Sequence, residues 1–385
     1  MKNRIYHYLN QLKLGNIADW VVEQAIEIQQ IPAPTFAERP RADYVMHLFE
    51  ELGLQDVQMD DLYNVYGRMP GRDTDVSGLM VMAHTDTVFP AETDLTVTRK
   101  GGSVYGPGLG DNSIGVAGML GLVHLLRQQQ IQPQSDVWFV ATSREEGLGD
   151  LDGVRCAYET LQDKISAVIN IEGLAYGYVY YAGIAVRRLH ITAQAEGGHS
   201  WLHFGRASAL HQIMRLGSEI TMLKVPATPR TTYNIGLADG GHSINSIATD
   251  AGLWLDLRSE QVNALSALEQ QVRSIVDSLT TSEVTFDIKV VGDRPAGKID
   301  PQHPLVQGAL VALAENGVRG ALQIGSTDGN VPLSHNCPTV TIGITRGGNA
   351  HRLDEYIETK PVTAGMAQLV ALTLASAEQL SRTES

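Results

Sequence analysis

The sequence is poor in cysteine, in positive charge and in long apolar runs. Two cysteines, Cys156 and Cys337, stand in 385 residues; they are too few for a disulfide framework and are not spaced as a zinc knuckle, which suits a cytoplasmic compartment. Lys and Arg number 29 against 43 Asp and Glu, a formal charge of −14. Such a balance repels nucleic acid and anionic lipid, so neither nucleic acid nor membrane is expected as a partner. The apolar stretches are short (residues 79–83) or broken by glycine (114–126), unlike a bilayer span. The N-terminal stretch MKNRIYHYLNQLKLGNIADW is polar and has no secretory-signal core.

What is present describes a soluble globular chain, 43% apolar and 19% charged. Its length exceeds the roughly 250–300 residues at which one core stops growing, so two domains are expected. Helical periodicity at 17–30, 38–52, 113–129 and 151–164 alternates with apolar runs at 79–83, 137–141 and 167–171. That alternation is the pattern of an α/β layered domain with buried, mostly parallel strands. From 186 the rhythm becomes strand 186–195, helix 206–223, strands 231–237 and 251–257, helix 264–279 and strand 283–291. This is a β-α-β-β-α-β, or ferredoxin-like, order. After Pro295 come helix 304–316, strand 339–344 and helix 362–380. The expected architecture is therefore a discontinuous α/β domain, 1–183 and 295–385, carrying a mostly parallel mixed sheet flanked by helices, with an inserted ferredoxin-like domain at 184–294.

The chemistry lies just beyond the apolar strands. Residues 79–83 run into His84-Thr85-Asp86, 137–141 into Glu145-Glu146, 167–171 into Glu172, and the strand from 339 through a glycine turn into His351. Asp111 joins them from the loop 106–111. Open parallel sheets bind ligands at the carboxyl ends of their strands, and a set of His and carboxylates suits zinc or another divalent transition metal. Five candidate ligands suggest two ions sharing a carboxylate, with a spare glutamate as general base. Each piece alone has a plainer explanation: a turn after a strand, an N-cap for Asp111, a solvated pair for Glu145-Glu146. Their joint occurrence at strand ends is what argues for a site.

The motifs His84-Thr85-Asp86-Thr87-Val88, Gly110-Asp111-Asn112, Glu145-Glu146-Gly147 and Ala350-His351 resemble those of the zinc-dependent exopeptidase and deacylase family, which includes carboxypeptidase G, peptidase T, the aminoacylases, acetylornithine deacetylase and succinyl-diaminopimelate desuccinylase. The resemblance implies two Zn2+ per subunit, with Co2+ or Mn2+ as substitutes. His84 and Glu172 would serve one ion, Glu146 and His351 the other, and Asp111 would bridge them through a loop whose Asp111–Asn112 peptide is cis. Asp86 would orient the His84 ring and Glu145 would be the general base. His199 resembles a histidine that reaches the scissile carbonyl oxygen, often from a partner subunit. Asn245 and Arg258 resemble residues that hold a substrate carboxylate, and Ser326 and Thr327 lie in a loop, 325–329, similar to the family's glycine-rich substrate loop. For Arg258 an ion pair with Asp256 is the plainer reading.

The implied activity is hydrolysis of a peptide or N-acyl amino acid bond next to a free carboxylate, by metal-activated water, in a homodimer joined through the inserted lid domain. Three departures bear on the substrate. Glu172 stands where several peptidases carry Asp, as in the deacylase branch; the segment 197–204 lacks the family's proline and contains Trp201 and Phe204; and Asn112-Ser113 differs from the acidic or lysine-containing versions of the bridging motif. The alternatives are a non-catalytic amino-acid or peptide binder of the same fold and a protein with purely structural metal.

Overall fold

The computed structural model describes residues 1–383. In chain order the main strands are β1 Gln55–Met59, β2 Val65–Met69, β3 Gly78–His84, β4 Val137–Thr142, β5 Ile165–Ile171, β6 Tyr178–Gly183, β7 Ala185–Ala195, β8 Thr231–Gly240, β9 Asp250–Ser259, β10 Val284–Arg294, β11 Gly297–Lys298, β12 Ala321–Gly325 and β13 Thr339–Ile342. The helices are α1 Lys2–Gln11, α2 Ile17–Gln29, α3 Arg39–Glu51, α4 Ile114–Gln128, α5 Asp152–Leu161, α6 Ala209–Thr221, α7 Val262–Leu279, α8 Pro304–Glu315, α9 Asn330–Ser334 and α10 Val362–Thr383. The chain divides into two compact units, Met1–Gly183 with Gly297–Ser385, and Ile184–Ala296. The second unit runs two residues further than the 294 expected from sequence, because β10 continues to Arg294 and the first unit's sheet is rejoined only at β11.

The first unit is built on a mixed sheet of order β1-β2-β4-β3-β5-β13-β6-β11, with β12 added to β6. Its centre, β4-β3-β5-β13, is parallel, while β1, β2 and β11 add antiparallel. All residues of β3 and β4 are buried, which explains their unbroken apolar sequence: both faces of the sheet are covered and no face is left for alternation. On one face α4 packs against β3 and is itself packed by α2 and α10, so a helix apolar on nearly every side is core here. Both cysteines are free thiols.

The second unit has the element order β7-α6-β8-β9-α7-β10 and a wholly antiparallel sheet of order β8-β9-β7-β10. Alternate residues Leu189 and Ile191 of β7 and Leu253, Leu255 and Leu257 of β9 meet Ile213, Leu216 and Ile220 of α6 and Leu268, Val272 and Val276 of α7. The period-two pattern of the strands and the helical period of α6 and α7 thus define one apolar layer between sheet and helices.

Candidate metal centre

Adjacent parallel strands end on the same edge of a sheet, and in the first unit that edge collects the charged residues. β3 ends in His84, opposite Thr142 of the neighbouring strand, and Glu145 and Glu146 follow three and four residues beyond that threonine. Glu172 immediately follows β5. Asp111 and His351 arrive from loops. His84, Glu145 and Glu146 are buried, Asp111 and Glu172 half-buried, and His351 exposed.

The distances sort these side chains into two groups around one carboxylate. His84 Nε2 lies 3.1 Å from Asp111 Oδ1 and 3.6 Å from Glu172 Oε2. His351 Nε2 lies 3.0 Å from Asp111 Oδ2 and 3.1 Å from Glu146 Oε1. Asp111 therefore turns one oxygen to each histidine. A third grouping, His84 with Glu145 and Glu146, also brings its potential ligand atoms within 4.8 Å of one another.

Four carboxylates concentrated in this way need positive charge. Burial opposes ionisation of His84, yet the Asp111, Asp86 and Glu172 carboxylates hold its pKa well above the ordinary imidazole value. Hydrogen bonds to Asp111 and Glu146 push His351 up to about 10. Burial works against the Asp111 charge, but the two imidazoles hold its carboxyl far below the usual range, whereas burial keeps Glu172 raised despite His84. Arg41, buried near Asp86, has its guanidinium committed to the carbonyls of Ile31 and Thr85. Imidazole nitrogen and carboxylate oxygen are the donors zinc and similar divalent ions take, and one carboxylate divided between two groups fits a pair of them. The residues present fit the implied metals.

Hydrogen bonds set the positions of these groups. His84 Nδ1 is 3.1 Å from the main-chain oxygen of Asp86 and 3.6 Å from its Oδ1, so the main-chain oxygen is the nearer partner. The Asp86 carboxylate accepts from the amides of Glu145 and Glu146, each at 2.9 Å, and from Thr35 Oγ1 at 2.8 Å. It thus ties the histidine turn to the glutamate turn. The Asp111–Asn112 peptide is cis, as the resemblance implies. Asn112 Nδ2 donates to the Ile171 carbonyl at 2.7 Å while its Oδ1 accepts from the Gly173 amide at 2.8 Å, locking the Asp111 loop to the turn bearing Glu172. A side chain at Gly173 would collide with the carbonyl of Gly110, so glycine permits this approach.

Three residues that the sequence did not single out complete the site. Glu355 is fully buried; its Oε1 accepts from the amides of Gly110 and Asp111, at 2.5 and 2.8 Å, and its Oε2 from Gly108 at 3.0 Å. Burial pushes its carboxyl up to about 7 although three amides favour the anion. Asp328 is also fully buried, accepts from Thr142 Oγ1 at 2.5 Å and is raised by burial to about 7. Asn170 Nδ2 reaches Glu172 Oε1 at 3.4 Å, Thr327 Oγ1 at 3.1 Å and Thr341 Oγ1 at 3.2 Å. The only signal for Glu355 was indirect: a glycine-rich loop with several main-chain donors needs an acceptor.

The proposed substrate residues divide between the units. In the first, Thr327 Oγ1 accepts from Asn170 and from the Gly329 amide, and Ser326 precedes it, half-buried. In the second, His199 is exposed on a short ribbon, Gly198–His199 paired with Ser246–Ile247, and the Asn245 carbonyl accepts from the Ser200 amide at 3.0 Å. Arg258, on β9, does make the plainer ion pair: its Nε is 2.7 Å from Asp256 Oδ2, and Arg188 shares that carboxylate at 3.2 Å.

Comparison with known proteins agrees with this geometry. The model of peptidase family M20/M25/M40 matches residues 80–375. A protein of Staphylococcus aureus named as a probable succinyl-diaminopimelate desuccinylase is 22% identical over 325 residues, covering 73% of this chain and 78% of its own. An acetylornithine deacetylase of Klebsiella pneumoniae is 25% identical over 360 residues, 84% of this chain and 88% of its own. Among solved structures, a tripeptidase from Staphylococcus aureus superposes with a TM-score of 0.77 at 22% identity over 94% of this chain and 99% of that one. With most of its length matched by the family model and its His and carboxylate groups gathered at one sheet edge, the chain belongs to peptidase family M20/M25/M40 and is a metal-dependent hydrolase of amide bonds.

Proposed function

We propose that this protein is a dinuclear zinc hydrolase that cleaves an amide bond next to a free carboxylate, with N-acyl amino acids as the preferred substrate class and small peptides as the second. The observation that carries the reading is the division of Asp111 between two groups, His84 with Glu172 and His351 with Glu146. When bound there, two divalent cations supply positive charge that polarises the scissile carbonyl and makes water a stronger nucleophile.

The remaining chemistry belongs to the protein. Glu145 is buried and its carboxylate is beside His84 and Glu146; it takes a proton from the attacking water as the carbon–oxygen bond forms. The same proton passes to the departing nitrogen as the carbon–nitrogen bond breaks, and the second proton of the water follows from the new carboxyl group, leaving a carboxylate and an ammonium group. Asp86 keeps Glu145 in place through its amide. His199 donates to the oxygen that gains charge, while Arg258 and Asn245 hold the substrate carboxylate and Ser326 and Thr327 border its binding loop. The β-α-β-β-α-β unit is the ferredoxin-like lid, and it joins two copies into a homodimer. Glu172 in place of Asp supports the N-acyl preference.

The test is mass-spectrometric detection of products from the zinc-loaded enzyme given N-acyl amino acids, dipeptides and tripeptides, with Glu145→Ala as control. Release of free amino acid from the acylated compounds, lost by about two to four orders of magnitude in the variant, is expected. Cleavage confined to peptides would overturn the substrate preference. Near wild-type turnover by Glu145→Ala would overturn the assigned base.

A further inference from the structure

The turn that carries His199 determines which of its ring nitrogens holds the proton. His199 Nδ1 accepts from the main-chain amide of Trp201 at 3.2 Å and lies 3.5 Å from that of Leu202. A ring nitrogen that accepts carries no hydrogen, so the neutral imidazole has its proton on Nε2.

His203 closes the same turn from the other side. Its amide donates to the His199 carbonyl at 2.9 Å, and its Nδ1 accepts from the His199 amide at 2.9 Å. The two residues thus exchange a pair of hydrogen bonds across five residues that contain no proline to stiffen them. The His203 ring also rests against Gly198, whose φ is 142° and where an added Cβ would collide with His203 Nδ1. Glycine is required there both by conformation and by this ring. On its outer side the turn is tied to the Asn245 segment by the Ser200 amide and by the ribbon that sets His199 opposite Ser246.

We propose that His203 is a positioning residue for catalysis: it holds the His199 turn in the form that keeps Nδ1 under the Trp201 and Leu202 amides and so presents His199 as an Nε2–H donor. This rests on the assignment of His199 as the donor to the developing oxyanion. In that role a fixed Nε2–H serves without a second proton, and a ring free to change tautomer would present a lone pair to a negative oxygen for part of the time. Donors of this kind act by being placed before the charge develops.

The experiment compares wild type, His203→Ala, His203→Asn and His199→Ala, all zinc-loaded, by steady-state kinetics and by long-range 1H–15N spectra of histidine-labelled protein. Asn retains an acceptor, its Oδ1, bonded to Cγ as His Nδ1 is, so it serves as the conservative variant and as insurance against misfolding of the alanine form. His203→Ala is expected to lower kcat about tenfold to a hundredfold with KM within about twofold, the mark of an interaction made in the transition state. Its His199 signals should leave the Nε2–H pattern, and His203→Asn should restore both readouts. If His199→Ala is impaired while His203→Ala keeps wild-type kcat and the wild-type tautomer, the positioning role is overturned. If His199→Ala itself turns over normally, the oxyanion assignment fails, and the spectra alone decide whether His203 fixes the ring.

Discussion

Replacing Glu355 by glutamine changes one atom and should disturb the whole bridging loop. The Glu355 carboxylate receives the amides of Gly108, Gly110 and Asp111, and its own carbonyl receives that of Gly106. In Glu355→Gln the amide oxygen can keep Gly110 and Asp111, but the NH2 group then faces the Gly108 N–H, donor against donor. The reverse orientation strands two amides instead of one. At a pH above about 8, where the Glu355 carboxyl is ionised, losing a charge-assisted hydrogen bond and leaving a buried N–H unpaired beside this fully buried residue cost together about 3 kcal/mol.

Part of that cost should appear as metal affinity, because the third amide belongs to Asp111 itself. Removing a group that orients a ligand typically weakens metal binding by about 10–100-fold. The assay is metal content by mass spectrometry after dialysis against graded chelator, with thermal unfolding in parallel. Both ions should leave the variant at lower chelator than wild type, together with a lowered Tm. Metal retention within about twofold of wild type and an unchanged Tm would refute the reasoning. A lowered Tm with unaltered metal binding would show that Glu355 supports the fold without placing Asp111.

Two further outcomes follow from the same geometry. Asp111→Asn removes the carboxylate whose two oxygens are divided between the histidine groups, so metal content after dialysis should fall from the proposed two ions per chain to one or none; two firmly held ions would reject the bridge. Asp328 gives a pH dependence with a definite sign: burial raises its folded pKa to about 7, above the ordinary aspartate value of 3.8, so ionisation costs folding free energy, absent below pH ~4 and growing as pH rises toward about 7, with a ceiling of about 4 kcal/mol. Asp328→Asn keeps an acceptor for Thr142 and should gain Tm relative to wild type at pH 8 but not at pH 4, and an equal difference at both would show that the carboxyl does not titrate as described.

The boundary between what the sequence revealed and what it hid follows the kind of contact involved. β3, β4 and β5 were legible because burial on both faces writes itself as an unbroken apolar run, and β7 and β9 because one covered face writes itself as alternation. α1 and β1 were not, since α1 buries only Ile5 completely and β1 is an edge strand with no fully buried residue. The same division runs through the site. His84, Glu146 and Glu172 stand out because imidazoles and carboxylates placed just beyond buried strands are chemically conspicuous, while Asp111 and His351, which arrive from loops, stand out only through the motifs Gly110-Asp111-Asn112 and Ala350-His351. Glu355, Asp328 and Asn170 do not, because apart from the contact of Asn170 with nearby Glu172 their partners are main-chain amides and hydroxyls drawn from distant segments: Glu355 meets a loop some 245 residues earlier in the chain, and Asp328 a threonine 186 residues earlier. A backbone N–H has no signature in sequence, so the residue that satisfies it looks like any other acid until the fold brings the two together. Side chains that would bind metal can therefore be read in advance, while those that fix the geometry of the ligands must be found in the structure, and Glu355 is the case in which that difference can be measured.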